Sequence, residues 1–224
     1  MLMAKPNQSS SGGFMKQSLF ALLVLSLIIM LTGIVSAQGI TAKGVKIGLN
    51  LANVGGDDVE NEPDSKIGLA VGGFFTYSLT DKIAIQPEIY YSQKGFKIEE
   101  TELGMTVKVT TALNYLEIPI LGVYSVSKDI SVFAGPSIGL YMNGEMKAEM
   151  SGEFMGESFN ESETEEIKSE DITSPEFGLV VGGAYSFGKI SIGARYSMGL
   201  TNMPDEKDVN IKNKVIQILL GVSL

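Results

Sequence analysis

The sequence predicts an all-β protein: a closed, antiparallel, eight-stranded up-and-down transmembrane β-barrel, preceded by a cleavable signal peptide. Three observations predict it. Eight segments of roughly 9–14 residues alternate apolar side chains with polar or small ones, which suits a tilted membrane strand better than the shorter strands of soluble sheets. The links between these segments are alternately short and long. The apolar face carries no charge in any segment, whereas the opposite face carries Lys46, Glu88, Glu117 and Arg195.

In chain order, the first element is a targeting segment. Lys16 and Gln17 precede an apolar run from Leu19 to Val35, which ends at Ser36-Ala37 before Gln38. A basic start, an apolar stretch and small residues at −3 and −1 read as a signal peptide over residues 1–37. A retained membrane helix is the rival reading, since the run is long enough to span. Met15-Lys16 would be a more ordinary start of translation than Met1. Residues 38–224 are then the barrel domain.

Strand side chains point alternately to the two faces of a sheet, so a period of two marks each strand. The first has Val45, Ile47, Leu49 and Leu51 on one face. The second has Ile67, Leu69, Val71, Phe75, Tyr77 and Leu79, with Gly68, Ala70 and Gly72 between them. The third runs from Ile83 through Ile85, Pro87 and Ile89 to Tyr91, against Gln86, Glu88 and Ser92. The fourth sets Leu116, Ile118, Ile120 and Tyr124 against Tyr115, Glu117 and Leu121. The fifth carries Ile130, Val132, Pro136, Ile138 and Leu140. The sixth carries Phe177, Leu179, Val181, Tyr185 and Phe187. The seventh sets Ile190, Ile192, Tyr196 and Met198 against Arg195. The eighth sets Ile216, Ile218, Leu220 and Val222 against Gln217. Pro87, Pro119 and Pro136 cannot donate to a ladder, so bulges or local breaks are expected there.

Thr80-Asp81-Lys82, residues 125–129 and Gly188-Lys189 are short turns. Residues 53–65, 97–110, 142–174 and 201–212 form the longer links. Membrane barrels of bacterial outer membranes sort their links this way, with short periplasmic turns and longer extracellular loops. Several tyrosines and phenylalanines near strand ends fit the aromatic girdles of such barrels.

Composition narrows the function. The chain of 224 residues has no Cys, no His and no Trp, a formal charge of −9, and 26 glycines. Absent Cys and His, a disulfide framework, an iron–sulfur centre, a thiol nucleophile and a Ser-His couple are all excluded. Net acidity argues against nucleic acid as a partner, because phosphate binding needs a basic stripe. Gly68, Gly72, Gly73, Gly182 and Gly183 do not form a phosphate loop, since no helix follows them. They suit bending and close packing of a barrel wall.

The inward face yields the only candidate site. Lys46, Gln86, Glu88, Glu117, Arg195 and Gln217 share it by parity. An eight-stranded barrel has an interior just wide enough for side chains to fill, so these groups are expected to form one mutually satisfied polar network. Paired carboxylates can also do acid–base work, but a structural network is the expectation here, with no catalytic, cofactor or metal residues. The acidic stretch 142–174 reads as a solvated loop or as strand extensions above the membrane; binding of divalent cations or of a basic partner is the functional alternative. It has no EF-hand spacing.

Several phrases resemble the PorT-like outer-membrane β-barrel family: Gln86-Pro87-Glu88-Ile89-Tyr90-Tyr91-Ser92-Gln93-Lys94-Gly95, Tyr115-Leu116-Glu117-Ile118-Pro119, Gly135-Pro136, and Arg195-Tyr196 followed by Gly199-Leu200. The resemblance covers residues 44–224. It implies a single-domain, eight-stranded barrel in the outer membrane of a Gram-negative cell. The expected function is therefore a small, non-catalytic integral barrel with a structural or interaction role and a filled interior. It would contact outer-membrane lipid, and a protein partner at the extracellular loops or periplasmic turns. A small-solute porin or transport-associated barrel is the first alternative. A soluble periplasmic lipocalin-like binder, with the apolar faces turned inward, is the second.

Overall fold

The computed structural model describes residues 39–59, 63–102, 104–154, 157–206 and 209–224. The expected signal peptide, 1–37, lies outside the described residues. The described residues form nine strands: β1 (Ile40–Gly55), β2 (Asp64–Ser78), β3 (Ile83–Glu102), β4 (Met105–Ser125), β5 (Ile130–Phe154), β6 (Glu157–Ile167), β7 (Glu176–Phe187), β8 (Ile190–Gly199) and β9 (Lys212–Ser223).

Eight of them close a ring. Each pairs antiparallel with its chain neighbour, β5 pairs with β7, and β1 meets β9 from Gly44↔Ser223 to Gly55↔Lys212. Closure gives every wall strand two partners, which a strand in hydrocarbon requires because no water is there to satisfy an open edge. Among the described residues the remaining strand, β6, pairs with β5 alone.

The wall is built opposite to a soluble protein. Ile47, Leu49, Leu69, Val71, Val181 and Ile218 are between 39% and 57% exposed, while Asn50, Glu88, Arg195 and Gln217 are at most 3% exposed. A soluble lipocalin-like barrel would hold the apolar face inward. Here that face covers the outside, where only lipid can cover it, and the charges are buried.

At one end the turns are tight. Thr80 Oγ1 accepts from the Lys82 and Ile83 amides, and Ser127 Oγ accepts from those of Asp129 and Ile130. Both turns thus use a hydroxyl three residues ahead of the next strand to hold the reversal. Gly188 turns β7 into β8 with φ of +60°, a conformation open to glycine at little cost. The three prolines interrupt pairing without shifting register. The β3–β4 ladder skips from Pro87↔Ile120 to Tyr90↔Glu117, and the β4–β5 ladder skips from Pro119↔Ser137 to Gly122↔Ala134.

The other end departs from the expected links. Residues 97–110 are not a loop: β3 and β4 continue to Glu102↔Met105. Most of 142–174 is also strand, since β5 runs to Phe154 and β6 returns along it. The upper parts of β3, β4 and β5, with β6, make a four-stranded sheet that projects beyond the ring. Along β4 and β5 the residues there still alternate with the polarity of the two faces exchanged, while β6 sets Glu161, Glu163 and Glu165 on the inner face, so the apolar outer face that marks a lipid-facing strand ends earlier than the strands do.

Candidate functional site: the barrel interior

The interior polar groups form two clusters. The lower one centres on Glu88 of β3. Its carboxylate accepts from Lys46 Nζ of β1 at 2.5 Å, from Gln86 Nε2 at 2.7 Å, and from Arg195 Nη1 of β8 at 2.6 Å. Arg195 Nε also donates to Gln217 Oε1 of β9 at 2.5 Å. Gln217 Nε2 donates to Asn50 Oδ1 at 2.7 Å, and Asn50 Nδ2 reaches Ser92 Oγ at 3.0 Å. One chain of hydrogen bonds thereby crosses the lumen and joins β1, β3, β8 and β9.

The upper cluster centres on Lys94 of β3. Its ammonium lies 2.7 Å from Glu117 of β4 and 2.9 Å from Glu176 of β7. Asn213 Nδ2 of β9 donates to the second Glu176 oxygen at 2.7 Å. The six expected residues are shared between the two clusters, which Ser92 links because it hydrogen-bonds Glu117 as well as Asn50. Lys46, Gln86, Glu88, Arg195 and Gln217 share the lower cluster, and Glu117 belongs to the upper one, opposite Lys94 rather than Arg195.

Each interior cation also lies over an aromatic ring. Lys46 is 4.8 Å from the Phe74 centroid, Lys94 is 4.6 Å from that of Tyr115, and the Arg195 guanidinium is 4.5 Å from that of Tyr90. The negative ring faces add attraction where water is scarce. Glycine makes the room for these bulky groups. A Cβ at Gly182 would sit 2.6 Å from the Arg195 Cβ and 2.7 Å from the Phe133 ring, and one at Gly72 would sit 2.8 Å from the Tyr90 ring. Small residues on one strand thus admit large ones from its neighbours.

Apolar layers bracket the polar ones. Leu121, Phe133 and Val180 pack towards the turn end. A cavity of about 150 Å³ lies there, with Lys46, Phe74, Gln86 and Phe133 among its lining. At the other end, Ile172 of the β6–β7 link and Met203 of the β8–β9 link pack on Val54, Leu113 and Tyr115. The two links are tied by the Ile172↔Pro204 bridge and by the Thr173 amide to the Met203 carbonyl at 2.9 Å.

What this interior can do chemically is limited. Both interior carboxylates of the expected pair, Glu88 and Glu117, are engaged by cations. Among the described residues, no group of three or more metal-ligating side chains could hold a metal ion.

Lys94, Glu176, Asn50, Ser92 and Asn213 were not among the expected site residues. Alternation alone reaches all five: Asn50 shares the parity of Lys46, Ser92 and Lys94 that of Glu88, and Asn213 that of Gln217, while Glu176 has opposite parity to Phe177.

Three solved structures are similar to this chain. Ail of Yersinia pestis is 13% identical, with 82% of this chain and 98% of Ail covered at a TM-score of 0.42. Neisserial surface protein A is 12% identical, with 80% and 96% covered at 0.42. CarO2 of Acinetobacter baumannii is 9% identical, with 82% and 100% covered at 0.43. No curated protein matches the sequence. The family model described as outer membrane protein beta-barrel domain matches residues 37–205, and the chain belongs to that family, an integral β-barrel of the outer membrane.

Proposed function

We propose that the protein is a plugged, non-catalytic barrel of the PorT-like group, exported by its segment 1–37, whose work is interaction at its surface rather than passage through its lumen. One observation carries this: Glu88 of β3 holds Lys46 of β1 and, across the interior, Arg195 of β8 on the opposite wall, and Gln217 of β9 and Asn50 of β1 return the hydrogen bonds to β3. An ion crossing the lumen would have to break buried, charge-assisted hydrogen bonds, which are among the strongest in proteins. The lack of His and Cys and the engagement of both carboxylates support the absence of catalysis. The phrases around Gln86–Gly95 and Tyr115–Pro119 support the PorT-like assignment.

Planar-bilayer recording of the purified protein tests the plug. The expected result is no steady conductance. A reproducible open pore in the wild-type protein would overturn the reading in favour of a solute channel.

A further inference from the structure

The sheet that projects beyond the ring carries apolar side chains on its inner face, and the described residues cover only part of them. Register partners lie on the same face of a sheet. Val107 of β4 pairs with Glu100 and Met150, Met150 with Glu161, Ala148 with Glu163, and Met146 with Glu165. Ile98, Val107, Met146 and Met150 therefore form an apolar strip, between 40% and 44% exposed. Glutamates of β6 border it on one side and Glu100 borders it on the other. A concavity of about 560 Å³ lies on the strip, lined by Val107, Ala148, Met150, Glu161 and Glu163 among others.

This strip stands outside the membrane. On the outer wall, the apolar surface ends at a row of hydrogen-bonded polar groups: Tyr91 Oη donates to Asn114 Oδ1 at 2.9 Å, and Asn114 Nδ2 donates to Asn143 Oδ1 at 2.7 Å. Beyond that row the outer face carries Lys108, Glu145, Lys147 and Glu149, which hydrocarbon would not accept.

We propose that the apolar strip docks a cationic, amphipathic polypeptide segment of another protein. Two observations select this occupant. The same inner face, nearer the barrel, is already covered by polypeptide, through Ile172, Met203 and Ile211; the uncovered strip continues that packing surface. Its acidic rim complements Lys and Arg and repels an anionic lipid surface. Two methionines in the strip give an adaptable contact, as unbranched thioethers repack around varied partners. The proposal rests on the interaction role given above. The tests differ, since peptide binding reads this surface and bilayer recording reads the lumen, so each can fail alone.

The test uses the protein in phosphatidylcholine nanodiscs and a fluorescein-labelled nonapeptide of alternating lysine and leucine, read by anisotropy in physiological salt against empty discs. Saturable binding is expected, at least tenfold weaker for a glutamate–leucine peptide. Glu161→Gln/Glu163→Gln/Glu165→Gln should weaken it at least tenfold, and Val107→Ser/Met150→Ser likewise. Glu145→Gln/Glu149→Gln/Glu166→Gln, which removes equal charge from the opposite face, should change it less than threefold. The proposal is overturned if binding is not saturable, if both triple variants weaken it equally, if the serine variant binds like wild type, or if sedimentation shows the strip buried in a dimer of this chain.

Discussion

Along the single strand β4 the apolar side chains change faces. Between Leu116 and Ile120 they point outward, and Tyr115, Glu117 and Leu121 point into the lumen; between Met105 and Leu113 the apolar residues lie on the luminal side, and Thr106, Lys108 and Thr110 lie outside. The backbone of β4 does not change its alternation; the sequence written on it does. Asn114 marks the change. Solvent, not strand geometry, decides which face is apolar: lipid surrounds the wall and water surrounds the projecting sheet. On β5 the same border carries a bulge, since Asn114 pairs with Asn143 and Tyr115 with Tyr141, leaving Met142 unpaired.

Substitutions can break this contrast in order of expected effect. The largest follows from Glu88→Ala, which leaves Lys46 and Arg195 facing each other in the interior without their carboxylate. The loss should be about 3–5 kcal/mol where the site is dry, measured by urea unfolding in lipid vesicles. Next comes a matched pair. Val71→Arg on the lipid-facing wall should cost about 2–4 kcal/mol, whereas Val107→Arg in the projecting sheet should stay within about 0.5 kcal/mol. Equal costs in the same unfolding assay would erase the distinction between the two regions.

A smaller effect is expected at the border. Asn114→Ala removes the bonds to Tyr91 and Asn143, for about 0.5–1.5 kcal/mol each at most, again by unfolding. The smallest lies on the outer face of the projecting sheet. The hydrogen bond from Lys147 holds the Glu149 carboxyl below the usual carboxylate range. A carboxyl depressed in the folded state adds stability above its unfolded pKa and loses it as pH falls through the folded value. Lys147→Ala should therefore move the Glu149 titration upward in an NMR pH series, with little change in unfolding because the pair is solvent-exposed.

The wall was legible in the sequence because lipid imposes a simple pattern on it. Apolar residues such as Ile47, Leu69, Ile118 and Ile218 recur every second position with no charge among them, and the short turns and longer links fall in strict order. The projecting sheet was not legible by that rule. Ile98, Val107 and Met150 keep the period, but glutamates and lysines fill the alternate positions, so the composition resembles a solvated loop. Inside the barrel, parity gave the inward positions of Lys46, Glu88, Glu117 and Arg195 but not their partners. Which cation meets which carboxylate depends on the stagger between strands, and Lys94 and Glu176 sit just past the residues where the lipid-facing pattern stops.

The absence of cysteine from the chain makes single-site labelling direct. Nitroxides attached to single cysteines at positions 106, 108, 110, 116, 118 and 120 of β4, in lipid vesicles, would all report from the outer face. Labels at 116, 118 and 120 should be open to oxygen dissolved in the bilayer and closed to a water-soluble nickel reagent, while those at 106, 108 and 110 should show the reverse, with the exchange at Asn114. Water access at 116–120, or bilayer access as far as 108, would contradict the division of the molecule into a lipid-facing wall and a water-facing sheet.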